Sequence, residues 1–120
     1  MGNFQELKVW HKAKELAVFL YNISRQGELS KDYGFRDQIR RSAVSISSNI
    51  AEGDELDTDR QSVKYFYIGK GSSAELLTQS IIANEIGYLA TEHFERIRKE
   101  CLSISSMLTR LIQARSKTEA

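Results

Sequence analysis

Apolar positions recur along this chain at steps of three and four residues, in four runs separated by short polar stretches. That spacing is the period of a helix that buries one face. In the first run Trp10, Ala13, Leu16, Ala17, Leu20 and Ser24 share a face. Gly27 and Gly34 bracket a polar connection of turn character. The second run uses Phe35, Ile39, Ala43, Ile46, Ile50 and Gly53. "GDELDTD" then breaks the rhythm, and Thr58 or Asp57 is suited to cap the next helix. The third run is the longest, with a stripe of Val63, Phe66, Lys70, Ala74, Leu77, Ile81, Asn84 and Tyr88 and a stop at Gly87. The fourth is the most regular: Phe94, Ile97, Cys101, Ile104, Leu108 and Leu111 alternate steps of three and four, a heptad-like seam. "RSKTEA" is expected to fray. No stretch sustains the period of two that a strand needs. The pattern predicts helices over roughly 7–26, 33–54, 58–87 and 91–115. Their short connections suggest one all-α domain over residues 1–120, an antiparallel up-down-up-down four-helix bundle.

Composition changes this picture little. The absence of proline permits long helices. A single cysteine excludes an internal disulfide framework. No basic start leads into a long apolar run, and no apolar run reaches the roughly 18 residues of a membrane span. The expectation is a cytoplasmic protein with no membrane partner. A formal charge of +1 gives no bulk support to nucleic-acid binding, so any such role must rest on a local patch.

The polar positions are more informative. On the second helix the core stripe through Phe35, Ile39, Ile46 and Ile50 covers about 60° of arc at 100° per residue. Arg41, Ser45, Ser48 and Glu52 fall together on a separate flank, and the small Val44, Ser47 and Ala51 lie away from the core. A solvated face would also tolerate these serines. Arg41 and Glu52 are about 16 Å apart along the axis and cannot pair with each other. If buried, each needs a partner on another helix or another chain, with Glu75 the leading partner for Arg41. The third helix carries Ile68, Gly71, Ser72, Glu75, Gln79, Ile82 and Ile86 opposite its predicted stripe. Three isoleucines and a mid-helix glycine suit a second buried face better than a solvated one. A second copy of the chain is the simplest cover.

Catalytic chemistry has little to build on. His11 and His93 lie in different helices without metal-ligand spacing. Cys101 sits on an apolar seam, where a free cysteine is usually a small core residue. "GKGSS" lacks the spacing and the preceding strand of a phosphate loop and reads as the inside of the third helix. Lys70 and Asn84 read as structural. No catalytic, metal or cofactor site is expected. The positive candidates for nucleic acid are Lys8, Lys12 and Lys14 on the first helix and Arg36 and Arg40 on the second. Lys8 and Lys12 are one turn apart, as are Arg36 and Arg40. Ordinary mixed-charge surface is the alternative, given Glu6, Glu15, Asp32 and Asp37 nearby.

The blocks "LKVWHKAKELAVFLY", "YGFRDQIRRSAVSISSNIAEG" and "YFYIGKGSSAELLTQSIIANEIGYL" cover most of the chain. Together they resemble the bacterial four-helix-bundle family that includes proteins encoded in intervening sequences of large-subunit ribosomal RNA genes. The middle block is the most specific, through Arg40, Arg41, Ser45, Ser48, Asn49, Ile50, Ala51, Glu52 and Gly53. Gly71, Ser72 and Glu75 support it independently. The family often has proline near the position of Ser47, a departure that bears on a local kink and not on membership. The resemblance implies an antiparallel bundle assembled as a ring-like homopentamer. A similar architecture occurs in the accessory protein of diversity-generating retroelements, where a basic ring surface associates with nucleic acid and a reverse transcriptase. The candidate structural or oligomer-interface positions are Arg41, Ser45, Ser48, Asn49, Glu52, Ile68, Gly71, Ser72, Glu75, Ile82 and Ile86. The expected function is a non-enzymatic homo-oligomeric scaffold associated with RNA or a ribonucleoprotein. The alternative is an adaptor that docks a partner protein, such as a reverse transcriptase, on the ring.

Overall fold

The computed structural model describes residues 3–56 and 58–117. Four helices carry the chain: α1 (Lys8–Ile23), α2 (Tyr33–Glu55), α3 (Asp59–Glu85) and α4 (Thr91–Lys117). There is no strand among the described residues. Each helix packs along the next in sequence, and α4 closes back on α1. The four predicted runs therefore form, with boundaries shifted by up to three residues. Helix α4 runs to Lys117, two residues past its predicted end and into the stretch expected to fray, and the Arg115 guanidinium donates to Asp54 Oδ1 at 2.7 Å. Residues 118–120 of the predicted frayed end lie outside the described residues, as does Asp57.

Local chemistry sets the helix ends. The carboxylate of Asp32 accepts from Phe35 N at 3.2 Å, and Thr58 Oγ1 accepts from Gln61 N at 3.3 Å, so each satisfies an orphan amide at a helix start. Gly87 ends α3 at φ +84°, a conformation open to glycine. Tyr88 N then reaches Ala83 O at 2.8 Å and Gly87 N reaches Asn84 O at 3.2 Å, the paired bonds of a Schellman cap. Tyr88 also donates its hydroxyl to Asp32 Oδ2 at 2.9 Å, which ties the end of α3 to the start of α2. Gly34, at the edge of the connection, is the second residue of α2, within the predicted 33–54 helix.

Ala13, Leu16, Ala17 and Leu20 of α1 meet Ile39, Ala43, Ile46 and Ile50 of α2 and Ile97, Cys101, Ile104 and Leu108 of α4 in one core. Helix α3 departs from expectation. Of its predicted stripe Phe66 is fully buried, Val63, Lys70, Leu77, Asn84 and Tyr88 are half-buried, and Ala74 and Ile81 are exposed. The buried face is Ser62, Phe66, Gly69, Ser73, Leu76, Ser80 and Ala83, with Ser72 at its edge, about a quarter turn away. Small residues dominate it and allow close approach of its neighbours. A Cβ on Gly53 would meet Phe66 Cε1 at 2.8 Å and Ser62 O at 3.0 Å. Two of the buried hydroxyls are satisfied through backbone: Ser62 donates to Gly53 O at 2.6 Å and Ser73 to Cys101 O at 3.0 Å. Asn84 is not a core register residue; it donates to Leu89 O at 3.0 Å and braces the α3–α4 connection.

Candidate interaction surfaces

The polar side of α2 divides between three environments. Its first part forms a seam with α3. Ser42 donates to Glu75 Oε1 at 3.0 Å, Ser45 and Ser72 share a hydrogen bond of 2.9 Å, and Asn49 donates to Ser45 O at 2.8 Å. Small hydroxyls here hold two helices together without bulk. Ser72 was expected on an outer face and is instead buried in this seam, because α3 is rotated toward α2. Ser45 and Asn49 likewise bond within the chain.

The second part faces outward. Arg41, Ser48 and Glu52 are exposed. The expected burial and pairing of Arg41 and Glu52 is absent within one chain: neither side chain has a hydrogen bond or ion pair among the described residues. Glu75, the expected partner of Arg41, binds Ser42 instead.

The third part borders a trough between α1 and α2. Tyr21 and Val44 line it along its length, with Val18 beside them. Four cations surround this apolar floor: Lys14 and Arg25 on the α1 side, Arg40 and Arg41 on the α2 side. Arg40 is held in place. Its guanidinium lies 4.6 Å from the centre of the Tyr21 ring, and its Nε donates to Ser24 Oγ at 2.7 Å. Asp37 is the acidic group lining the trough, and it accepts from Arg36 Nε at 3.2 Å.

The basic candidates do not form one surface. Lys14 and Arg40 border the trough. Arg36 stacks over Tyr33 at 4.9 Å and donates to Ser30 O. Lys8 lies with Arg110 on a seam between α1 and α4. Lys12 crosses that seam to Glu100 at 3.1 Å, and Arg96 covers Phe19 there at 4.1 Å from the ring centre. Sequence spacing linked Lys8 with Lys12 but could not find Arg25, Arg96 or Arg110, because these come together only across helices.

The outer face of α3 presents Tyr67, Ile68, Ile81, Ile82 and Ile86, between 40% and 58% exposed, around an exposed Gly71. This concentration of apolar surface on one helix invites cover.

The two histidines and the cysteine have contacts within the chain. His11 donates to Gln5 O at 2.6 Å, and His93 stands edge-on to Phe19. Burial pushes the Cys101 thiol up to about 11, against a smaller downward effect of Ser73. Among the described residues no three His, Cys, Asp or Glu side chains gather into a metal site, and no helix is long and apolar enough to cross a membrane.

A family model described as 23S rRNA-intervening sequence protein matches residues 5–110. Among solved structures, a protein with unknown function from the S23 ribosomal protein family of Bacteroides thetaiotaomicron VPI-5482 is similar, with a TM-score of 0.80 and 23% identity. The alignment covers 87% of this chain and 97% of that one, and the likeness bears on the fold. No curated protein matches the chain.

Proposed function

The chain belongs to the 23S rRNA-intervening sequence protein family, and from that premise we propose a non-enzymatic, homo-oligomeric helical scaffold that associates with RNA or a ribonucleoprotein. The proposed bundle is antiparallel, up-down-up-down, and the proposed assembly is a ring-like homopentamer. The outer face of α3 carries this reading. Its five exposed large hydrophobics are more than one helix normally leaves to water, and Gly71 at their centre leaves room for another backbone. The unpaired Arg41 and Glu52 fit the same reading, since a neighbouring copy would supply partners.

RNA contact is assigned to the α1–α4 seam, where Lys8, Lys12, Arg96 and Arg110 lie along one side of the molecule. Repetition around a ring would multiply a weak patch. Such cations read phosphate and not sequence.

Light scattering in moderate salt tests the assembly. A mass near five times the 13.7 kDa chain is expected, and a monomer at micromolar concentration would overturn the scaffold. For RNA, affinity for a structured rRNA fragment should fall steeply with salt. Replacing Lys8 and Arg110 with glutamine should lower the salt slope by about 1 for each phosphate-binding cation removed. The same apolar α3 face favours a second reading, an adaptor for a partner protein. Stable assembly without salt-sensitive RNA binding would select it.

A further inference from the structure

Two surfaces of the chain match each other. The trough between α1 and α2 is basic with an apolar floor, and the C-terminal half of the outer ridge of α3 is apolar with two exposed carboxylates, Glu75 and Glu85, while Arg60 and Lys64 lie at its N-terminal end. We infer that the trough of one copy receives the α3 ridge of a second copy, head to tail. This rests on the homo-oligomeric reading above and specifies which surface meets which.

Charge supports the match. Lys14, Arg25, Arg40 and Arg41 border the trough, and the one lining carboxylate, Asp37, is already bound to Arg36. On the ridge Glu75 and Glu85 are exposed, and Glu75 uses one oxygen on Ser42. Arg41 and Glu85 have no hydrogen bond or ion pair within the chain among the described residues.

Spacing supports it as well. Glu75 and Glu85 stand about 15 Å apart along α3, and Lys14 within α1 and Arg25 just past its end stand on either side of Val18 and Tyr21 in the trough. Ile82 lies between the two glutamates, as Val18 and Tyr21 lie between the two cations. An acidic pair flanking an apolar centre thus meets a basic pair flanking an apolar centre. Gly71 adds no side chain to the ridge, and a Cβ built there meets nothing in its own chain.

Trough and ridge are different surfaces, so the interface is heterologous. Each copy gives a ridge to one neighbour and a trough to the other, which generates a closed ring or a filament and not a two-fold dimer. The RNA-facing cations are then those outside the trough, on the α1–α4 seam.

Charge reversal tests the interface. One variant carries Lys14→Glu and Arg25→Glu, a second carries Glu75→Lys and Glu85→Lys, and a third carries all four. Helix content and thermal melting confirm folding, and sedimentation velocity reads mass. The first two are expected to sediment as monomers. The third is expected to re-associate, because both sides of the interface are reversed together. If the wild-type chain is itself a monomer, the oligomeric reading fails and this inference with it. If the wild type is an oligomer and the first two variants keep its mass, the scaffold stands and the trough-to-ridge match is overturned. A third variant that stays monomeric would also overturn the match. Should a charge variant fail to fold, disulfide trapping answers independently. In a Cys101→Ala background, Val18→Cys with Ile82→Cys should give a covalent ladder on oxidation. Absence of the ladder in the folded, assembled protein would overturn the match.

Discussion

Gly53 and Gly69 offer the same substitution in opposite surroundings. Glycine to alanine within a helix gains at most about 1 kcal/mol from the backbone. At Gly69 the new Cβ finds Asn49 Cβ and Ile46 O at 3.6 Å and Leu108 Cδ1 at 3.7 Å, ordinary van der Waals distances. Gly69→Ala should therefore stabilise by about 0.5–1 kcal/mol. At Gly53 the Cβ meets Phe66 Cε1 at 2.8 Å, Phe66 Cδ1 at 3.0 Å and Ser62 O at 3.0 Å. Phe66 is fully buried, and Ser62 is anchored by its hydroxyl on Gly53 O, so neither yields readily. Overpacking of this kind costs about 1–3 kcal/mol. The backbone gain near the end of α2 offsets only part of it, and a net loss of about 1–2 kcal/mol is expected. For a chain of this size that corresponds to a fall in Tm of about 4–8 °C, against a rise of about 2–4 °C for Gly69→Ala. Circular dichroism melts and urea titrations at one fixed chain concentration measure both, since association also contributes to apparent stability. A Gly53→Ala protein as stable as the wild type, or one more stable than Gly69→Ala, would refute close α2–α3 packing as the reason for glycine here.

Other perturbations follow from individual side-chain pairs. Arg115→Ala should cost roughly 3 kcal/mol in a urea titration, the low end for breaking a buried pair, because Asp54 is 3% exposed while Arg115 is partly open; an unchanged midpoint would show Asp54 needs no cation. Arg41→Ala should leave the melting of the single chain unchanged and weaken association, whereas Lys12→Ala, which removes a partly exposed pair with Glu100, should cost at most about 1 kcal/mol and leave mass alone. The Cys101 thiol, raised to about 11, should resist thiol reagents at pH 8 in the folded protein and react on denaturation; fast labelling of native protein would contradict its burial. Tyr88 is raised above its ordinary 10.0, chiefly by its hydrogen bond to Asp32. A raised acid favours the protonated folded form, so the stability from both groups is present at neutral pH and is lost as pH rises through their folded values. Alkaline unfolding should be shallower in Tyr88→Phe.

The helices of this protein follow from chemistry local to the chain. Period and polarity located all four helices, and in α2 and α4 the larger apolar residues sit mainly on one stripe, so the stripe was also the core. Thr58 and Gly87 mark helix ends because their chemistry acts on backbone within a few residues. Family membership was legible from the block Arg40 to Gly53, of which Ser42, Ser45, Asn49 and Gly53 pack or bond against α3 while Arg41, Ser48 and Glu52 face outward. The third helix could not be oriented in this way. It carries large apolar residues on both sides, so its periodicity has no single maximum, and its buried face is built largely from glycine, serine and alanine, which hydrophobicity does not reveal. Only tertiary packing selected that face, because small residues let α2 and α4 approach. The ionic pairs were hidden for the same reason: Lys12 meets Glu100, and Asp54 meets Arg115, across more than half the chain. Arg25 and Arg41 became neighbours of one trough only once α1 lay against α2. Helical period is a property of adjacent residues, whereas the choice of partner depends on how whole helices roll against one another.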